Sequence, residues 1–242
     1  MEMEILYEDS RNGLLKFESN TIDLTVTSPP YKIEDGYSDQ LIIDVFTEVY
    51  RLHKDKSVLF VNFGHLNDFK TRPFKVVELI ESVGFKLKDT IIWIKNHYKP
   101  IQGNKTLNNK WEYVFLFIKN KIPEMDRLAI GIPFVCKSNI GRFAKEDLHC
   151  GGNLWYIPYE TITKSSEKLH NDRFPIGLPL NCLKLYPFAQ DILDPFSGSG
   201  TTCLAAKMEN RKSFKGCELN DKYKIIVDQR IKEYELKTKS VF

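Results

Sequence analysis

Two stretches carry residue types that could do chemistry. The first is Thr27-Ser28-Pro29-Pro30-Tyr31, which closes a run where Ile22, Leu24 and Val26 recur at every second residue. That period marks a half-buried strand. Proline has no amide donor, fixes φ and biases the residue before it towards extended backbone, so the strand stops on a stiff rim. The rim offers carbonyls, the Ser28 hydroxyl and the Tyr31 ring. The second stretch is Asp194-Pro195-Phe196-Ser197-Gly198-Ser199-Gly200-Thr201-Thr202, between a short strand and a helix. Its glycines let the chain turn sharply and approach a ligand, and the free amides at the helix start face whatever binds. A lone glycine turn is most often only a turn. Here Glu218 ends the next strand, where a carboxylate can accept hydrogen bonds from both hydroxyls of a ribose. The pair of features points to a nucleoside cofactor. Neither a Gly-Lys-Ser/Thr nor a GxGxxG spacing follows, which disfavours a phosphate-binding loop.

The elements that must position these stretches alternate. Strands are predicted at 5–7, 22–27, 57–63, 191–194 and 213–218, and helices at 40–53, 74–83, 176–186, 201–209 and 221–236. Such alternation is the signature of a parallel sheet with helices on its faces. Residues 85–95 and 112–118 read as two strands with no helix between them, an antiparallel pair at one sheet edge. From 119 to 169 no strong period is seen, and this stretch is the candidate insert. It divides the chain into 1–118, 119–169 and 170–242. Against this frame the 35 basic and 32 acidic residues nearly cancel, so the net charge of +3 makes no case for nucleic acid by itself. The five cysteines include no CxxC pair, so neither a zinc site nor a disulfide scaffold is indicated, and no metal is expected. No apolar run approaches a membrane span, and a cytoplasmic protein is expected.

The two motifs together resemble the exocyclic-amino DNA methyltransferases that use S-adenosyl-L-methionine. Their catalytic motif has the form (D/N/S)-P-P-(Y/F), and their cofactor motif resembles D-P-F-x-G-S-G-T-T. Trp93-Ile94-Lys95, Trp111-Glu112-Tyr113-Val114-Phe115, Leu154-Trp155-Tyr156-Ile157-Pro158 and residues 170–178 also look like family stretches. The catalytic motif comes first here, as in the circularly permuted group called beta. The resemblance implies a Rossmann-like α/β fold with a mostly parallel seven-stranded sheet and an antiparallel edge strand, permuted, plus a small irregular target-recognition insert. It implies catalytic roles for Ser28, Pro29, Pro30 and Tyr31. Cofactor contacts fall to Asp9, Thr27, Phe174, Pro175, Glu218 and Asp194 through Thr202: Pro195, Phe196, Ser197, Gly198, Ser199, Gly200 and Thr201 lie between. Lys32 and Asp172 depart from residues common at their positions.

Direct displacement at a sulfonium methyl needs no metal and no covalent enzyme intermediate. The amino lone pair of a nucleobase is delocalised, so acceptors such as the Ser28 hydroxyl and the Pro29 carbonyl would help return electron density to nitrogen. The target base must first leave the duplex, and Tyr31 can stack on it. Candidate DNA contacts are Lys95, Lys99, Lys105 and Lys110 between the paired strands, and Lys137 and Arg142 in the insert. Among the enzymes this sequence resembles, serine in the first motif position is commoner in those that methylate cytosine N4, and aspartate or asparagine in those that methylate adenine N6, so the resemblance favours cytosine N4. Carbon-5 methylation is disfavoured because it needs a cysteine nucleophile, usually after proline, and no cysteine here follows one. Rival readings are an adenine-N6 enzyme, a methyltransferase for protein amides or RNA, and a noncatalytic cofactor-binding DNA module. A companion restriction endonuclease and a homodimer are compatible with the small insert.

Overall fold

The computed structural model describes residues 1–31, 38–64, 70–96, 107–142, 144–159 and 173–239. Strands β1 (Glu2–Leu6), β2 (Ile22–Thr27), β3 (His53–Phe63), β4 (Lys86–Ile94), β5 (Trp111–Ile118), β6 (Leu154–Tyr156), β7 (Asp191–Asp194) and β8 (Ser213–Cys217) form one sheet in the order β1-β8-β7-β2-β3-β5-β4-β6. Every neighbouring pair is parallel except the two made by β5. The helices are α1 (Ser10–Gly13), α2 (Asp39–Leu52), α3 (Arg72–Ser82), α4 (Gly177–Leu185), α5 (Thr201–Met208) and α6 (Tyr223–Lys239). The fold is the expected mixed α/β one, with two differences in the sheet. Among the described residues it has eight strands rather than the expected seven, and the antiparallel strand β5 lies inside it rather than at an edge.

Both differences have one cause. β5 bonds β3 from Val58↔Ile118 to Phe63↔Tyr113 and β4 from Lys86↔Ile118 to Ile94↔Trp111, so it is paired on both sides. β4 is then left open, and β6 closes it in parallel register, Trp93 opposite Trp155. The Trp93 indole donates to the Ile157 carbonyl at 2.8 Å, which fixes the join. β6 therefore lies within the stretch 119–169 while adding to the main sheet.

Alternation along the strands builds two cores. Val26, Val58, Phe60, Val114, Leu116, Ile192 and Phe214 face α4 and α5, with Val227 and Ile231 of α6. Leu59, Val61, Phe63, Phe115, Phe117 and Leu193 face α2 and α3, with Leu14 and Phe17 of the segment after α1. In α2 the buried side chains Leu41, Ile42, Val45, Phe46, Val49 and Leu52 follow helical spacing, and the Ser38 hydroxyl caps its start by accepting from the Leu41 amide.

Strand direction determines where a ligand can go. β2 leads across one side to β3, whereas β7 leads the other way to β8, and the two strands lie side by side. The crevice beyond their carboxyl ends is the switch point at which open α/β sheets take ligands. Ser28 and Pro195 emerge there from neighbouring strands.

Candidate active site

The Thr27–Tyr31 and Asp194–Thr202 stretches meet through a buried hydrogen bond. Thr27, the last residue of β2, donates through Oγ1 to Asp194 Oδ1 at 2.7 Å across 167 positions of sequence. The Phe196 amide donates to the same oxygen at 3.1 Å, and Thr202 Oγ1 donates to the Val26 carbonyl at 3.1 Å. Burial pushes the Asp194 carboxyl up to about 7, opposed by the hydrogen bonds from Thr27, Thr202 and the Phe196 amide. Asp194 thus ties the two stretches together while lying inside the protein.

The turn after β7 is built for close approach. Gly198 and Gly200 have φ of 49° and 74°, a region that disfavours side-chain-bearing residues. Ser197 Oγ donates to the Asp194 carbonyl at 2.8 Å, and its amide donates to the Cys217 carbonyl at 2.9 Å. The Ser197 hydroxyl lies so near β8 that a Cβ on Gly216 would fall 2.2 Å from it. Arg230 of α6 holds the far side of the turn, donating to the Ser199 carbonyl at 2.6 Å and to Thr201 Oγ1 at 3.1 Å. Ser10 Oγ donates to the Pro195 carbonyl at 2.5 Å.

Glu218 follows β8 at the same edge. Its Oε2 accepts from the Gly198 amide at 2.7 Å and its Oε1 from the Asn220 amide at 2.8 Å. Burial raises its pKa, against those amide bonds. Each carboxylate oxygen keeps a lone pair for a further donor. An adenosyl ligand fits these residues: paired acceptors for ribose hydroxyls at Glu218, and a turn that approaches closely without side chains at 198 and 200.

At the Ser-Pro-Pro-Tyr rim, Ser28 Oγ and Tyr31 Oη are 3.0 Å apart. The Tyr31 ring lies against Phe63 with centroids 4.5 Å apart. Two residues outside the sequence reading complete the group. The single Tyr31 Oη proton has two acceptors in reach, Asn62 Oδ1 at 3.2 Å and Glu112 Oε2 at 3.3 Å. Burial, then the nearby Glu112 charge, drive the Tyr31 phenol well above its ordinary value. The ring is therefore a neutral donor at physiological pH. The available signal for Asn62 and Glu112 was their polarity inside otherwise apolar strands, Val58–Phe63 and Trp111–Ile118.

Other assigned residues fall in different places. Phe174 and Pro175 are buried just before α4, with Phe174 in the core under that helix. Phe196 is partly buried and packs against the opposite core. The Asp9 carboxylate caps α1, accepting from the Arg11 amide at 2.9 Å and from its guanidinium at 2.6 Å. That hydrogen bonding to Arg11 lowers its pKa. The Lys95 side chain is largely buried and donates to Glu112 Oε1, which gives the buried carboxylate on β5 its charged partner. Lys110 is exposed just before β5, and Lys137 and Arg142 are exposed in the irregular stretch, where Lys137 pairs with Asp147. Lys99, Lys105, Lys32 and Asp172 lie outside the described residues. Among the described residues no cluster of His, Cys, Asp and Glu could hold a metal, and no helix is long and apolar enough to cross a membrane.

The profile of a protein family described as DNA methylase, of the N6/N4 type, matches residues 22–229. The orphan methyltransferase M.BamHII of Bacillus amyloliquefaciens is 30% identical over 241 residues, covering 88% of this chain and 90% of its own. Among solved structures, the PvuII DNA methyltransferase (cytosine-N4-specific) superposes with a TM-score of 0.76 at 22% identity, over 95% of this chain and 86% of that one. A Thermus thermophilus protein, TTHA0409, described as a putative DNA modification methylase and solved with S-adenosyl-L-methionine, gives a TM-score of 0.66 at 24% identity, over 95% of this chain and 93% of that one. The chain belongs to the N6/N4 DNA methylase family and is a DNA amino-methyltransferase.

Proposed function

We propose that the chain transfers the methyl group of S-adenosyl-L-methionine to the exocyclic N4 of a cytosine turned out of duplex DNA. The observation that carries this reading is the Thr27–Asp194 hydrogen bond, which brings the Ser-Pro-Pro-Tyr rim and the Gly198–Gly200 turn to one crevice. When bound, the cofactor supplies an electrophilic methyl on sulfonium. Glu218 holds the ribose, and the amides and small residues at 197–200 face the rest of the adenosyl group. Ser28 Oγ and the Pro29 carbonyl accept from the amino N–H bonds and raise electron density on nitrogen in the transition state. Tyr31, seated on Phe63, supplies a platform for the extruded base. Serine rather than a carboxylate or carboxamide at position 28 favours cytosine as the target.

The edge position of β1, parallel to β8, supports the permuted beta-group reading, since it continues the cofactor half of the sheet from the other end of the chain. The irregular stretch between β5 and β6 carries Lys137 and Arg142 and is assigned to target recognition. Its small size suits a short target sequence, a second copy of the chain, or a companion endonuclease that cuts the unmodified site.

The test is to express the chain in a host free of this modification and digest the DNA for nucleoside mass spectrometry. N4-methylcytosine is expected, and it disappears in the Ser28→Ala/Tyr31→Ala double variant. N6-methyladenine would move the assignment to the other base, and methylation persisting in the double variant would overturn the catalytic roles.

A further inference from the structure

Glu112 has no part in the reaction as described, yet it lies directly beneath the rim. A carboxylate that is only 9% exposed is costly unless it is paired and hydrogen-bonded. Lys95 supplies the charge, donating to Oε1 from the end of β4, its ammonium 5.5 Å from the Trp93 ring centre and 6.0 Å from that of Tyr159. Pairing with Lys95 would be satisfied by that oxygen alone. The other, Oε2, is turned to the site, where it accepts from Tyr31 Oη at 3.3 Å and from Asn62 Nδ2 at 3.1 Å. Asn62 Nδ2 also donates to the Tyr113 carbonyl at 3.0 Å, which orients the amide so that its Oδ1 faces Ser28 and Tyr31. A continuous hydrogen-bonded line therefore runs from Ser28 Oγ through Tyr31 Oη to a buried carboxylate.

We propose that Glu112 is the acceptor of the proton that amino-group methylation releases, reached through Ser28 and Tyr31. The proposal rests on the amino-methyl transfer reading but is indifferent to which base is modified. As the N–C bond forms and the donor's C–S bond breaks, the sulfur regains its lone pair and the amine must shed one proton to end neutral. That proton passes from nitrogen to Ser28 Oγ, the Ser28 proton passes to Tyr31 Oη, and the Tyr31 proton passes to Glu112 Oε2. Glu112 becomes a neutral acid, Lys95 remains an ammonium, and the proton returns to water after the product leaves. Asn62 positions both hydroxyls and takes no proton, since its amide oxygen is too weak a base.

Single-turnover transfer of labelled methyl to unmodified genomic DNA, with cofactor affinity measured by calorimetry, tests this. Glu112→Gln preserves shape and keeps one acceptor for Tyr31 and Asn62, but turns its amide NH2 on the Lys95 ammonium. It is expected to bind cofactor normally and to transfer methyl about 100-fold more slowly, in the usual range for a lost general base. Lys95→Met combined with Glu112→Gln removes the stranded buried ammonium and is expected to be folded and equally slow. In Glu112→Ala, added formate is expected to restore much of the rate by occupying the vacated carboxylate position. Tyr31→Phe, which keeps the ring on Phe63 and deletes only the middle hydroxyl, is expected to be slow and insensitive to formate. Wild-type rates in the Lys95→Met/Glu112→Gln variant, or no rescue of Glu112→Ala by formate, would overturn the proposal. A wild-type chain that binds cofactor and methylates no DNA would instead remove the functional reading beneath it.

Discussion

Replacing Thr27 by valine removes one hydroxyl and little volume, and it cuts the bond that joins β2 to β7 at the crevice. At pH 8 Asp194, with its pKa near 7, is mostly ionised in the folded chain, and Thr27 Oγ1 is its 2.7 Å donor. A hydrogen bond to a buried charge contributes about 1.5–3 kcal/mol. At pH 6 the carboxyl is mostly protonated and can itself donate, so the cost should fall to about 1 kcal/mol, the net worth of a neutral bond. Urea unfolding at the two pH values reads this as a midpoint shift at constant slope. Thr27→Ser, which retains the donor, should lose far less at pH 8. An equal penalty for Thr27→Val at both pH values would refute the assignment of Asp194 as the titrating partner, and no penalty at either would refute the junction itself.

Gly216→Ala places a Cβ 2.2 Å from Ser197 Oγ, and should cost about 1–3 kcal/mol and loosen the cofactor turn; Ser197→Ala in the same chain should recover part of both in unfolding and calorimetry. Glu218→Gln removes the charged acceptor at the end of β8 and should weaken S-adenosylmethionine binding by roughly 10- to 100-fold, measured by titration calorimetry, with a smaller effect on stability. Stability against pH should show two opposed slopes. His53 is buried between Thr25 and Ser57, and burial lowers its pKa from 6.5 to about 3. Its unfolded form binds the proton first, so stability falls as pH drops from 6.5 towards 3, by about 2 kcal/mol at pH 5. Asp194, raised from 3.8 to about 7, binds its proton first in the fold, so stability rises as pH drops from 7 towards 3.8. Asp194→Asn should therefore expose the His53 loss as a steeper fall between pH 6.5 and 5, read from urea midpoints.

Much of this arrangement is legible in the sequence because it is written locally. Alternation identifies β2 as a strand, although its polar face is buried as well, the two prolines mark its end, and glycines between a strand and a helix mark the turn at 197–200. The helical face of α2 is likewise visible from its own spacing. What stayed hidden depends on contacts across the chain. β5 looks like a hairpin partner of β4 at an edge, and only its pairing with β3 moves it inside the sheet. β6 is three residues long and owes its place to the match of Trp155 with Trp93 and to the bond between Trp93 and Ile157. The pairing of Lys95 with Glu112 is not visible locally, because its partner is 17 positions away on another strand. Asn62 and Glu112 read as polar interruptions in apolar strands. Their place beneath Tyr31 emerges only once β3 and β5 lie side by side at the carboxyl end of the sheet.

The most direct test of one shared crevice is a crystal structure of the chain with a non-reactive cofactor analogue and a duplex carrying its target base. The expected result is an adenosine whose ribose hydroxyls lie on Glu218, and an everted base against Tyr31 with its amine on Ser28 Oγ, about 3–3.5 Å from the position of the transferable methyl. An analogue bound away from the turn at 197–200, or a base held far from Ser28, would contradict it.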